Sequence, residues 1–79
     1  MENRIRKIMS NVFLINESDI KEDASPETIS QWDSIGHLNL ITSIEEEFDI
    51  LLDQDQIVEM LNLNLVIVIT QEAIAEKNK

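Results

Sequence analysis

The chain contains no cysteine and no tyrosine, and only one glycine, one proline and one histidine among 79 residues. Without cysteine there is no disulfide, no thiolate metal site and no cysteine nucleophile. Such a chain suits a reducing compartment, and a cytoplasmic location is expected. A single Gly and a single Pro are too few turn residues for a sheet of tight hairpins, so helices joined by irregular loops are favoured. Basic residues are also scarce: 6 Lys and Arg stand against 16 Asp and Glu, a formal net charge of -10. Phosphate backbones need clustered cations, so nucleic acid is excluded as a partner. Anionic membranes repel the same surface, whereas basic protein surfaces attract it and speed encounters. Long apolar runs are absent too. The longest, Leu65 to Ile69, is far too short to span a bilayer, so no membrane insertion is expected. The charged start, Met1 to Lys7, has no apolar run directly behind it and does not read as a signal peptide. Hydrophobic residues nevertheless make up 43% of the chain. They recur periodically, which argues against disorder and for one domain over residues 1–79, a monomer.

The first segment, Glu2 to Leu14, places Ile5, Ile8, Met9, Val12 and Phe13 at helical spacing, with Arg4, Arg6, Lys7 and Asn11 mostly off that stripe. A polar connection follows from about Ile15 to Asp33, unusually long for so small a domain, and connections of that kind are often functional. Its apolar residues Ile15, Ile20, Ile29 and Trp32 are spaced like anchors onto a core. Pro26 to Ile29 reads as a short helical turn capped by Ser25. The next helix is expected from about Ser34 to Phe48, capped by side-chain oxygens of Asp33 and Ser34. Leu40, Ile44 and Phe48, with Ile41 beside them, form its core face. Ile35, Leu38 and Thr42 form a second stripe on another side. Asp49 to Asp53 reads as a loop with Ile50 and Leu52 turned inward, and Gln54 to Met60 as a short helical piece. The last segment, from Asn62 to about Lys77, holds the β-branched run Leu65 to Thr70, which reads locally as a strand. No partner strand is evident, and Leu63, Val66, Ile67, Thr70, Ala73 and Ile74 fit a helical face, so a helix is expected.

The informative stretch runs from Trp32 through Asp33, Ser34, Ile35, Gly36 and His37 to Ile41. A serine that opens a helix after a long loop is exposed by geometry. A phosphate esterified to it meets the positive end of the helix dipole and its free amides. On its own, Asp-Ser before a helix is most often only a cap. Glu45, Glu46 and Glu47 lie toward the carboxyl end, where helices prefer cations, and this mildly favours a recognition role.

Three features together resemble the acyl carrier protein family: Asp33-Ser34-Ile35, the helix ending in Glu45-Glu46-Glu47-Phe48-Asp49-Ile50, and the acidic turn Asp53-Gln54-Asp55. The resemblance runs from about Ile5 to Ile74. It implies an all-α, four-helix bundle with a long loop between the first and second main helices and a short third helix. It implies that Ser34 receives 4'-phosphopantetheine, covalently, from coenzyme A through a carrier protein synthase (a phosphopantetheinyl transferase). Asp33 then matches the acid that helps the synthase and its magnesium ion engage the site. Ile35 and Thr42 match positions that touch partner enzymes, and the exposed stripe adds Leu38. Glu45, Glu46 and Glu47 match acids that dock on basic patches of acyl-loading, condensing or acyltransferase enzymes. Leu40, Ile44, Phe48 and Leu52 match core positions where an acyl chain shelters. The implied role is a carrier of thioesters, with no catalytic residue and no metal site of its own.

Trp32 and the run Gly36 to Ile41 depart from the fatty-acid-synthesis type and look more like carriers of specialised pathways, such as polyketide-like, unusual lipid or surface-polysaccharide systems, while Leu51 and the β-branched run are atypical of the family. Gly36 early in a helix costs about 1 kcal/mol relative to Ala, and is read as opening space near the arm. His37 is a neighbour of Ser34 on the helix, but no third group completes a triad and no oxyanion-hole motif accompanies it, so a capping or surface role is expected. Trp32 either anchors the loop or meets a partner. Asp53 to Asp55 lacks the Gly and closing Glu of a calcium loop. The competing function is an acidic helical interaction module without a prosthetic group. A carrier of aminoacyl or peptidyl groups has the same arm, and a hydrolase using Ser34 and His37 is the remaining alternative.

Overall fold

In the computed structural model, which describes residues 1–78, the first helix α1 spans Glu2–Phe13 and buries Ile5, Met9 and Phe13 along one stripe. Ile8 and Val12 pack half-buried beside them. The helix stops at Leu14, which takes the left-handed conformation at φ 57° and ψ 47°. The N–H groups of Leu14 and Ile15 both turn back to the Ser10 carbonyl, which satisfies the end of the helix.

The connection to the next helix is pinned at several points. A single 3-10 turn, Glu17–Asp19, leads into Ile20, which is buried together with Ala24, Ile29 and Trp32. Ile20, Ile29 and Trp32 are anchors expected from the sequence, whereas Ile15 is only half-buried. Ala24 is an additional anchor, too small for an apolar pattern to reveal. Its carbonyl accepts the Leu63 N–H at 2.8 Å. The Arg6 guanidinium donates to the Ile20 carbonyl. Pro26 to Ile29 makes one turn, in which the Thr28 and Ile29 N–H groups meet the Ser25 carbonyl and the Ser25 hydroxyl accepts from Glu27.

α2 spans Ser34–Phe48 and buries Gly36, Leu40, Ile41 and Ile44. Phe48 is half-buried, with the Arg4 guanidinium over its ring at 4.5 Å. α2 ends at Asp49 in the left-handed conformation, φ 52°, as α1 does at Leu14. Ile50 and Leu52 point inward as the alternation implies, and Leu51 points out. α3 spans Gln54–Glu59, opened by a reciprocal pair of bonds between Asp53 and Gln56, a capping box. α4 spans Leu63–Lys77, with the Asn62 side chain accepting the Leu65 N–H at 2.9 Å.

The β-branched run is helical because only that geometry puts Leu63, Val66, Thr70 and Ala73 on one buried face and keeps the backbone paired within the segment. Ile69 is buried beside them, while Ile67 and Ile74 lie half-buried at the margin. The chain is all-α among the described residues, with four helices, a long loop between α1 and α2, and a short α3. α1 packs chiefly on α2 and less on α4. α3 is the loosest element. None of its own side chains is fully buried, and it rests on the core through half-buried Ile57 and through Met60, which is buried at its C-cap.

Candidate functional site

The start of α2 is built by Asp33, whose extended backbone (φ -98°, ψ -167°) turns its carboxylate over the first turn. Its Oδ1 accepts the Gly36 N–H at 2.8 Å, and its carbonyl accepts the His37 N–H at 2.7 Å. Asp33 is therefore the cap, and Ser34 stands at the first helical position with its side chain exposed. Ile35 and Leu38 beside it are 73% and 59% exposed, a large apolar display next to a hydroxyl. Thr42 is exposed on the same helix, and its hydroxyl donates to the Leu38 carbonyl at 3.0 Å.

Two expectations about this turn are corrected. Gly36 opens no space. It is buried, and a Cβ there would stand 2.1 Å from the Gln31 carbonyl oxygen and 3.2 Å from the Phe13 ring. The glycine lets the end of the loop cross the first turn of α2 at contact distance, which no sequence pattern reports. His37 neither caps the helix nor lies open on the surface. It is half-buried: its Nδ1 receives the Trp32 indole N–H at 2.9 Å, and its Nε2 lies 2.8 Å from the Ile57 carbonyl of α3. With both ring nitrogens engaged, it holds no free base for Ser34. Trp32 is buried and stacks on Phe13, with ring centroids 5.6 Å apart, so it anchors the loop.

The acidic helix end is only partly free. The half-buried Glu45 accepts the Leu52 N–H at 2.9 Å and so shapes the loop after α2. Glu47 pairs with Arg4 at 2.7 Å. Glu46 is exposed and turned to solvent. Beyond these acids an open groove of about 1030 Å³ is lined by Thr42, Glu45, Glu46, Ile50, Leu51 and Ala73, among others. None of Leu40, Ile44, Phe48 or Leu52 borders it, because Leu40 and Ile44 are sealed in the core. Among the described residues no group of three or more His, Asp and Glu is placed to hold a metal ion. No helix among them is long and apolar enough to cross a membrane.

No protein-family model matches this chain, and no curated protein is significantly similar to it in sequence. Among solved structures, the solution NMR structure of a holo acyl carrier protein from Geobacter metallireducens is similar to it with a TM-score of 0.85. The two chains are 24% identical, and the match covers 96% of this chain and 87% of that one. This chain has the acyl carrier protein fold. Within that fold, the sequence stripe located the exposed residues of α2 but passed over Val58 and Leu61. These flank the end of α3 and are 56% and 63% exposed. The available signal was the place of Val58 in a six-residue helix too short to bury more than one side, with Leu61 just past its C-cap.

Proposed function

We propose that the chain is a discrete acyl carrier protein in which Ser34 carries 4'-phosphopantetheine. The observation that carries the proposal is Ser34 itself: an exposed hydroxyl at the first position of a long helix, within Asp33-Ser34-Ile35, in a chain folded like a holo carrier protein. The residues around it fit such a group. The first turn of α2 presents its amide end to whatever is attached at Ser34, and Asp33 already occupies the Gly36 amide without covering the hydroxyl. When attached, the group supplies a thiol on a flexible tether, which holds acyl groups as thioesters.

The chain's own residues do the rest, and none of them is catalytic. Ile35, Leu38 and Thr42 form the apolar contact beside the attachment point. Glu46, with Glu45 and Glu47 behind it, provides the negative field that draws in basic patches on the transferase and on loading, condensing or acyltransferase enzymes. Contacts of this kind speed encounter without long residence, which suits a protein that visits several enzymes in turn. The resemblance of Trp32 and the run Gly36 to Ile41 to carriers of specialised pathways supports that role rather than general fatty-acid synthesis. The lack of cysteine suits work in the cytoplasm.

The test is intact mass measurement of the apo-protein after incubation with coenzyme A and a broad-range phosphopantetheinyl transferase. The wild type should gain one phosphopantetheine and Ser34→Ala none. An unchanged wild-type mass with several transferases of proven activity refutes the proposal.

A further inference from the structure

The imidazole of His37 joins three separate parts of the site. It belongs to the first turns of α2, three residues after Ser34. It receives the indole N–H of Trp32, the last anchor of the long loop, at 2.9 Å, and the two rings lie within 17° of coplanar with centroids 6.2 Å apart. On its far side Nε2 lies 2.8 Å from the carbonyl of Ile57, twenty positions along the chain. The partners fix where the proton sits. An indole N–H only donates, so Nδ1 accepts, and a carbonyl only accepts, so Nε2 carries the hydrogen. The two bonds therefore assign the Nε2–H tautomer.

The far end of this relay adds to the hold that half-buried Ile57 and the buried cap residue Met60 give α3. That helix has six residues and no fully buried side chain. Its last carbonyls lack helical partners, as at any helix end, and the return bond from Met60 to Ile57 is long at 3.4 Å. His37 satisfies that carbonyl from outside the helix. It thereby draws α3, with its exposed Val58 and with Leu61 just after its cap, to the turn of α2 that displays Ser34, Ile35 and Leu38.

We propose that His37 is a positioning residue: its imidazole latches α3 and the Trp32 end of the loop to the Ser34 turn, and so presents Ser34 to the transferase within one preformed surface. The part concerning presentation rests on the carrier reading, whereas the latch does not. Loss of one such bond should let α3 open up to about tenfold more often.

Three measurements on the full chain test this. Long-range 15N–1H NMR should report the Nε2–H tautomer for His37 at neutral pH. Amide exchange in His37→Ala should rise up to about tenfold at residues 54–60 and stay unchanged in α1 and α4. His37→Gln, whose amide offers one acceptor and one donor without an aromatic ring, should restore protection of α3. With a transferase that loads the wild type, His37→Ala should raise KM with little change in kcat, and His37→Gln should recover it. An Nδ1–H tautomer, or exchange that rises equally in every helix, overturns the latch. Normal loading by a His37→Ala protein whose α3 is measurably loosened overturns its role in presentation. A wild type that no transferase loads overturns the carrier reading and with it presentation, while the tautomer and exchange results still judge the latch.

Discussion

Replacing Gly36 by alanine should destabilise the protein although it adds a better helix former. In an exposed helix interior that exchange gains about 1 kcal/mol. Here the new methyl would stand 2.1 Å from the Gln31 carbonyl oxygen and 3.2 Å from the Phe13 ring. Carbon and oxygen normally approach no closer than about 3.3 Å, so the two backbones must part by roughly 1 Å. The obstructing atom belongs to the main chain and has no rotamer to escape into. The displaced segment carries Trp32 and the cap residue Asp33, so the shift disturbs an anchor and a helix start together. Overpacking of this kind costs about 1–3 kcal/mol, and backbone displacement places it at the upper end. A net loss of about 2 kcal/mol is expected. For a domain of this size that lowers Tm by about 10 °C. Trp32 is the only tryptophan and sits at the clash, so its fluorescence reports both urea and thermal unfolding. Asn39→Ala, at an exposed position of the same helix, is the control and should be neutral or slightly stabilising. A Tm for Gly36→Ala at or above that of the wild type would show that the loop does not cross α2 at contact distance.

Leu14 holds a left-handed conformation at φ 57° with its side chain 87% exposed, so the residue bears conformational strain with almost no burial in return. Leu14→Gly should raise stability by roughly 1 kcal/mol in thermal unfolding, and a fall would show that the leucine makes a compensating contact. Thr70 is completely buried in α4 and its hydroxyl has no hydrogen-bond partner. Thr70→Val keeps the shape and removes the stranded oxygen, so the urea midpoint should rise by an amount equivalent to about 1 kcal/mol or more; a decrease refutes this account of the core.

The parts of the fold legible in the sequence are those written in local periodicity. Ile5, Met9 and Phe13 announce α1, and Leu40 and Ile44 announce the buried side of α2. Asp33 and Asn62 cap the helices that follow them, as their short acceptor side chains suggest. Helix and strand competed in Leu65 to Thr70, and the lack of a second strand decided it. What periodicity cannot carry is contact between distant residues. The bond from His37 to Ile57, that from the Leu52 N–H to Glu45 and the pair of Arg4 with Glu47 join positions that share no pattern. The burial of Gly36 depends on the path of a loop with no regular geometry. The candidate site was legible at Ser34 because the chemistry there follows from one residue and the helix it opens. The support beneath that residue was not legible, because it is assembled from α1, the loop and α3 at once.

The bond between the Ala24 carbonyl and the Leu63 amide divides the long connection into two shorter spans. Each side of that point is a separate segment with its own tether. Residues added or lost between Lys21 and Asp23 are therefore absorbed between the Ile20 anchor and the Ala24 tether, whereas a change between Ser30 and Gln31, past the Ile29 anchor, moves Trp32 directly. Apart from Ile20, whose side chain and carbonyl are both held, the first span is open to change in composition over evolution, while the second is tied to the geometry of the turn it feeds.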